Sequence, residues 1–250
     1  MSPSAERVQP PGSLRRALLP EIRLGLAVET TPDLELASVA LGNPQDVLAI
    51  LGEPSSLRNA VPKRRAEFIA GRHASALALS RFGCVEAVQR ERTGAPRWPV
   101  GFVGSISHGA GVAVAVASSS RDYRGLGIDV EEWMSDAQCV EIVAQILQPK
   151  ELEILSGAFS ALSRAQRVSV GFSVKESLYK CLNPIAEEFI EFEDARLDRV
   201  VPRTPTSGRI WLSLARSFSG ELAAGTELPG CYALEPDRVE TLVWLPWRHS

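Results

Sequence analysis

Hydrophobic positions recur at helical spacing in two long stretches of the chain, with strand-like runs between and after them. The first stretch is "PKRRAEFIAGRHASALALSRF". Pro62 suits a first helical turn, and Gly83 closes the pattern. Phe68, Ile69, Ala76 and Leu77 supply much of its apolar side, while Arg65 and Arg72, with Arg64 beside them, form a basic stripe. A turn-rich piece, "RTGAPRWP", follows. In "GSISHGAGVAVAVASS" the Val/Ala run predicts a strand buried on both faces, with Ser105, Ser107 and His108 on a turn before it. "LGIDVEE" predicts a second buried strand. Ser135 or Asp136 can cap a helix carrying Val140, Val143 and Leu147. Pro149 starts a short helix through Glu151 and Leu155 that Gly157 ends. The second long helix runs from about Ser163 to Leu182, stopped by Asn183-Pro184. Beyond it, "FIEFEDARL", "RIWLSLARSF", "GCYALEP" and "ETLVWLP" read as strands, as does "IRLGLAVE" near the start. The fold class predicted is α+β, with mixed or antiparallel sheets.

Composition narrows the picture without naming a function. A chain of 250 residues with 45% hydrophobic and 23% charged positions can bury a substantial core. A net charge of -3 argues against a nucleic-acid binder that relies on bulk positive charge, but leaves room for a local basic patch. Cys84, Cys139, Cys181 and Cys231 are widely spaced and form no zinc motif, so reduced thiols in a cytoplasmic protein are expected. Residues 1–20 read as a loose N-terminal segment, not a signal peptide. No apolar stretch is long enough for a membrane span.

The candidate chemistry starts from two acids in an apolar run. Asp129 and Glu131 are two residues apart, so an extended strand points them the same way. Two partly desolvated like charges repel, and something positive should sit between them. In "RVSVGFSVKESLYKCL", Val168, Phe172, Leu178, Tyr179 and Leu182 form the apolar stripe of the second long helix. Lys175 falls inside that stripe, where its amine must reach a partner or snorkel to the surface. Glu176 and Lys180 stand at i and i+4, as a surface ion pair or as a third carboxylate with a phosphate-holding amine. Three carboxylates without matching cysteines or histidines suit a hard cation, Mg²⁺ first, and hence phosphoryl chemistry. Ser107 and His108 offer donors, and the arginines can grip a phosphate. A Ser/His hydrolase lacks its GxSxG elbow.

The order "KRRAEFIAGR", "GAPRWPVGFVGSISH", "GIDVE", "FSVKESLYK" resembles the 4'-phosphopantetheinyl transferases, in particular the group that activates siderophore and other nonribosomal peptide synthetases. The resemblance covers roughly residues 60–195. It implies two similar α/β halves, 21–124 and 125–250, with coenzyme A in the cleft between them. It implies that Asp129, Glu131 and Glu176 bind Mg²⁺, with Asp129 also beside the donor, and that Lys180, Ser107 and His108 contact its phosphates. Arg64 or Arg65, with Arg72, would hold the adenosine 3'-phosphate, and the turn Gly94 to Pro96 would line the nucleotide. Many relatives carry a basic residue in that turn, where this chain has Ala95 and Arg97 could compensate. The implied reaction moves phosphopantetheine from coenzyme A to a serine of an apo acyl or peptidyl carrier protein, releasing adenosine 3',5'-bisphosphate. Glu151, Glu176 or a metal-bound water would take the serine proton. A monomer is expected, with no nucleic acid or membrane partner. Another Mg²⁺-dependent phosphoryl transferase or phosphohydrolase, and a noncatalytic coenzyme A or carrier-protein binder, are the competing readings.

Overall fold

The structure, a computed structural model, describes residues 21–28, 33–51, 57, 59–186, 188–219 and 221–247; the loose segment expected at 1–20 lies outside them. The order of elements is β1 (Glu35–Ala40), α1 (Pro44–Leu51), α2 (Pro62–Ser80), β2 (Gln89–Arg90), β3 (Pro96–Arg97), β4 (Phe102–Gly109), β5 (Val112–Ser119) and β6 (Tyr123–Glu132). Then come α3 (Asp136–Ile146), α4 (Pro149–Ala158), α5 (Arg164–Ala186), β7 (Ala195–Pro202), β8 (Ser207–Leu214), β9 (Glu227–Leu234) and β10 (Arg238–Pro246). Three strands form one sheet in the order β1-β5-β4, and five form another in the order β6-β10-β9-β8-β7. Every pairing in both is antiparallel, within the α+β expectation. β1 and α1 lie in a stretch where the sequence pattern marked only short strand-like pieces.

The N-terminal sheet is built on small side chains. β5 is buried along nearly its whole length, as its Val/Ala run requires. α2 packs on it through Ala66, Ala70 and Ala74 against Ala113 and Ala115. The buried face of α2 is therefore its small-residue face, not the side expected from Phe68, Ile69, Ala76 and Leu77. Alanine allows the helix axis close to the sheet, which leaves the larger residues on the flanks and Ala76 exposed. Gly71 belongs to this contact: a Cβ there would meet the Ile106 side chain at 2.8 Å.

Three other expectations are corrected. Ser105, Ser107 and His108 stand in strand β4, not on a turn. The turn is the two-residue loop Ala110-Gly111, with φ of 48° and 71°, the positive pair that a type I′ hairpin needs. α5 continues through Pro184 to Ala186 instead of stopping before it, because Ala186 is fully buried in the C-terminal core and its packing outweighs the lost hydrogen bond. "IRLGLAVE" is not a strand over its described part; Gly25–Val28 form a 3₁₀ turn. In α3, Ser135 does form the cap, as a capping box with Gln138. Val140, however, is exposed, and Cys139 and Ile146 are the buried residues of that helix.

The C-terminal sheet receives α5 across β6, and glycines set the distance. A Cβ on Gly127 would lie 1.8 Å from the Ser177 carbonyl oxygen, and one on Gly125 would lie 2.3 Å from that of Cys181. No side chain fits at either position. The "GLGID" run thus brings the helix backbone directly onto the strand, so that short hydroxyl side chains of α5 reach Asp129. On its other side β6 lies beside β4, and a Cβ on Gly109 would meet the Val130 carbonyl at 2.4 Å. β4, β6 and α5 meet in this way around one carboxylate.

Candidate active site

Asp129 is the buried centre of the site, with 4 % of its surface exposed. Its Oδ1 accepts the Ser107 hydroxyl at 3.0 Å and the Lys180 ammonium at 2.6 Å. Lys180 Nζ also donates to Ser107 Oγ at 3.1 Å. Oδ2 accepts Ser173 Oγ at 2.8 Å. Strand alternation gives Glu131 the same face as Asp129, half-buried. The positive group that the paired acids demanded is, in this structure, Lys180. It bonds Asp129 rather than forming an i,i+4 surface pair with Glu176.

Burial and the Asp129 charge raise both glutamates beside Lys180. Burial first, then the Asp129 charge, pushes the Glu131 carboxyl up to about 7, with Glu176 adding to the rise and Lys180 opposing it. Burial also raises Glu176, Lys180 pulls it back, and Asp129 pushes it further. Asp129, Glu131 and Glu176 offer only oxygen donors, which match a hard divalent cation in donor type and in charge. Among the described residues, no three Asp, Glu, His or Cys side chains are drawn together into a closed ligand cluster. The trio shares an electrostatic environment in which Lys180 already holds one Asp129 oxygen.

A basic pocket opens on the other face of β4. Arg64, Arg72, Arg90, His108, Gly94 and Pro96 all line it. Arg64 Nη1 lies 2.7 Å from His108 Nε2. Arginine can only donate, so His108 Nε2 accepts and the ring proton of the neutral imidazole sits on Nδ1, towards Glu67. Burial depresses the His108 pKa, against the pull of Glu67, which favours this neutral ring. The Arg72 guanidinium stacks over Phe68 at 5.0 Å, and Arg90 stands over the same ring at 6.0 Å. Two like charges share one ring, and the buried Arg72 Nη1 lacks a hydrogen-bond partner; Glu67, which also lines the pocket, offsets part of this positive charge. Arg65 is not part of the pocket's lining, so Arg64 is the residue of that pair turned towards it.

Arg90 escaped the sequence reading. It sits on β2, directly across from Pro96 on β3. The hairpin around "RTGAP" was the available signal: it folds Arg90 back beside Gly94, whose φ of +96° makes the turn. Ala95 and Arg97 instead line a separate groove of about 660 Å³ that also reaches Trp98, Phe102, Arg124 and Lys180.

Glu151 and Lys175 form a buried pair away from these groups. Lys175 Nζ donates to Glu151 Oε2 at 2.9 Å and to the carbonyls of Ile146 at 2.8 Å and Phe192 at 2.9 Å. Glu151 accepts the backbone N–H of Gln148 on Oε2 and that of Leu197 on Oε1, both at 2.7 Å. Both carboxylate oxygens are therefore occupied, and the pair ties α4, α5 and β7 together. Lys175 does not snorkel; it is 2 % exposed. Beside it, an apolar cavity of about 280 Å³ is walled by Glu176, Tyr179, Phe189, Ile190 and Phe192.

Comparison with known proteins supplies the family. The profile of the 4'-phosphopantetheinyl transferase N-terminal domain matches residues 53–118, and that of the 4'-phosphopantetheinyl transferase superfamily matches residues 125–226. The chain is 30% identical over 207 residues to 4'-phosphopantetheinyl transferase PptT of Mycobacterium tuberculosis, covering 81% of this chain and 88% of that protein. It is 33% identical over 155 residues to 4'-phosphopantetheinyl transferase Npt of Nocardia iowensis, covering 62% and 68%. It is 39% identical over 129 residues to enterobactin synthase component D of Salmonella typhi, a match that spans 51% of this chain and about half, 52%, of that relative. The chain belongs to the 4'-phosphopantetheinyl transferase superfamily, enzymes that move phosphopantetheine from coenzyme A to a carrier protein.

Proposed function

We propose that coenzyme A lies across the junction of β4, β6 and α5, and that this site transfers its phosphopantetheine to the serine of an apo carrier protein. The observation that carries the reading is the pairing of two built sites on one strand. Ser107 faces the Asp129–Lys180 centre, and the neighbouring His108 faces the basic pocket. A donor with a pyrophosphate and a separate sugar phosphate needs such a bipartite receptor. Arg64, Arg72, Arg90 and His108 hold the 3'-phosphate, with Gly94 and Pro96 against the nucleotide. Lys180 and Ser107 hold the pyrophosphate. The apolar cavity beside Glu176 receives the uncharged pantetheine arm.

Asp129, Glu131 and Glu176 are the residues that would hold a divalent cation, Mg²⁺ by donor type. When bound, it neutralises the charge of the pyrophosphate. The chain's own groups do the rest. The carrier serine oxygen forms a bond to the phosphorus that bears pantetheine. The bond from that phosphorus to the leaving phosphate breaks, and its electron pair goes to adenosine 3',5'-bisphosphate. Lys180 and Ser107 stabilise the charge that develops there. Glu176, at the edge of the pantetheine cavity and with its pKa raised by burial, accepts the serine proton. Glu151 is held fully in its pair with Lys175, and its part is to fix α5.

The natural carrier is an acyl or peptidyl carrier domain, with siderophore peptide synthesis suggested by the enterobactin synthase relative. A soluble, cytoplasmic monomer fits these partners; among the described residues no helix is long and apolar enough to cross a membrane. The test is incubation with coenzyme A, Mg²⁺ and a panel of apo carriers, followed by intact mass. A phosphopantetheine added to a carrier serine supports the reading, and coenzyme A cleavage without carrier modification contradicts it.

A further inference from the structure

Beneath Asp129 lies a row of hydroxyls that the reaction does not touch. Ser173 and Ser177 come from α5 and Thr241 from β10, where it is the cross-strand partner of Asp129. All three are completely buried. Ser173 Oγ reaches Asp129 Oδ2 at 2.8 Å and Thr241 Oγ1 at 2.9 Å. Thr241 Oγ1 is also 2.9 Å from the Ser173 carbonyl. Ser177 Oγ lies 2.7 Å from Thr241 Oγ1 and 3.1 Å from the Thr241 carbonyl.

Counting protons fixes the direction of the first bond in this row. An ionised carboxylate only accepts, so Ser173 spends its one proton on Asp129. Thr241 then donates to Ser173, to its hydroxyl or its carbonyl, and Ser177 donates to Thr241. Where Thr241 donates to the Ser173 hydroxyl and Ser177 to the Thr241 hydroxyl, each proton points towards Asp129 and each buried hydroxyl polarises the next. Ser173, at the head of the row, occupies Oδ2. Oδ1 is left as the oxygen of Asp129 that faces Ser107 and Lys180.

We infer that Ser173 and Thr241 are positioning residues that aim Asp129, leaving Oδ1 alone to serve the cation and donor. This rests on the reading of Asp129 given above. The same residues explain why α5 must touch β6 so closely. A serine is the shortest hydroxyl donor, and it reaches Asp129 only because Gly125 and Gly127 admit the helix backbone.

The test is calorimetric titration of Mn²⁺ into the protein with coenzyme A present and no carrier, together with melting temperatures. Removing an outer-shell partner of a ligand typically weakens metal affinity about 10–100-fold. Ser173→Ala and Thr241→Val, the latter close in shape, should each raise the Mn²⁺ dissociation constant by about 10–100-fold. Thr241→Ser, which keeps the hydroxyl, should stay close to the parent. Added to Asp129→Ala, Ser173→Ala should weaken Mn²⁺ no further, because it acts through Asp129. If Ser173→Ala and Thr241→Val fold and bind Mn²⁺ as the parent does, the hydroxyls only pack and the inference is wrong. If one variant fails to fold, the other decides. A parent that binds no Mn²⁺ would overturn both this inference and the cation role assigned to the acids.

Discussion

Glu131 holds its charge in an unfavourable place, and that sets a pH dependence. Its folded pKa, about 7, lies above its ordinary 4.5. Between those values the folded chain keeps a proton that the unfolded chain has released. Stability therefore falls as pH rises through that window, and this group adds no slope below 4.5 or above 7. In chelator, thermal melts from pH 5 to 8 should fall more steeply for the parent than for Glu131→Gln. Parallel curves would remove Glu131 as the cause. On the other face of β4, Arg90→Ala should weaken coenzyme A binding by about 1.5–3 kcal/mol, the worth of one charge-assisted contact. Its effect should be much smaller with dephospho-coenzyme A. An equal loss with both donors would move Arg90 away from the 3'-phosphate.

At the scale of elements, α5 is both a scaffold and a source of site residues. Gly127→Ala should cost about 3 kcal/mol or more, because the new methyl would meet helix backbone rather than a movable side chain. A denaturant melt reads this, and a parent-like midpoint would contradict the close-packed junction. Glu151→Gln breaks a buried ion pair and should cost about 3–5 kcal/mol. Turnover per folded molecule should stay near the parent's; a collapse in turnover at full folding would return the proton-accepting role to Glu151. Much of this element scale was legible in the sequence. The helix pattern marked α2 and α5, and alternation gave Asp129 and Glu131 one face. What escaped detection depends on contacts distant in sequence. Alternation in "GSISHG" was masked by glycines that read as a turn, yet those glycines admit Trp98 and Val130 against β4. Pro184 read as a stop, but tertiary burial carried the helix past it. Arg90 needed the β2–β3 hairpin, and the Ser173–Thr241 contact needed strand β10, 68 residues away.

Over the whole molecule, the three-stranded sheet brings Ser107 and His108, α2 and the β2–β3 hairpin bring the arginines, and the five-stranded sheet and α5 bring Asp129, Glu131, Glu176 and Lys180. In the proposed site these groups act together on one donor. The most direct measurement is intact mass of an apo carrier after incubation with coenzyme A and Mg²⁺, comparing the parent with Lys180→Ala and Asp129→Ala. The parent should add one phosphopantetheine to the carrier serine, and both folded variants should lose this transfer almost completely. Transfer by Asp129→Ala or Lys180→Ala at the parent rate would contradict the assignment of the reaction to this centre.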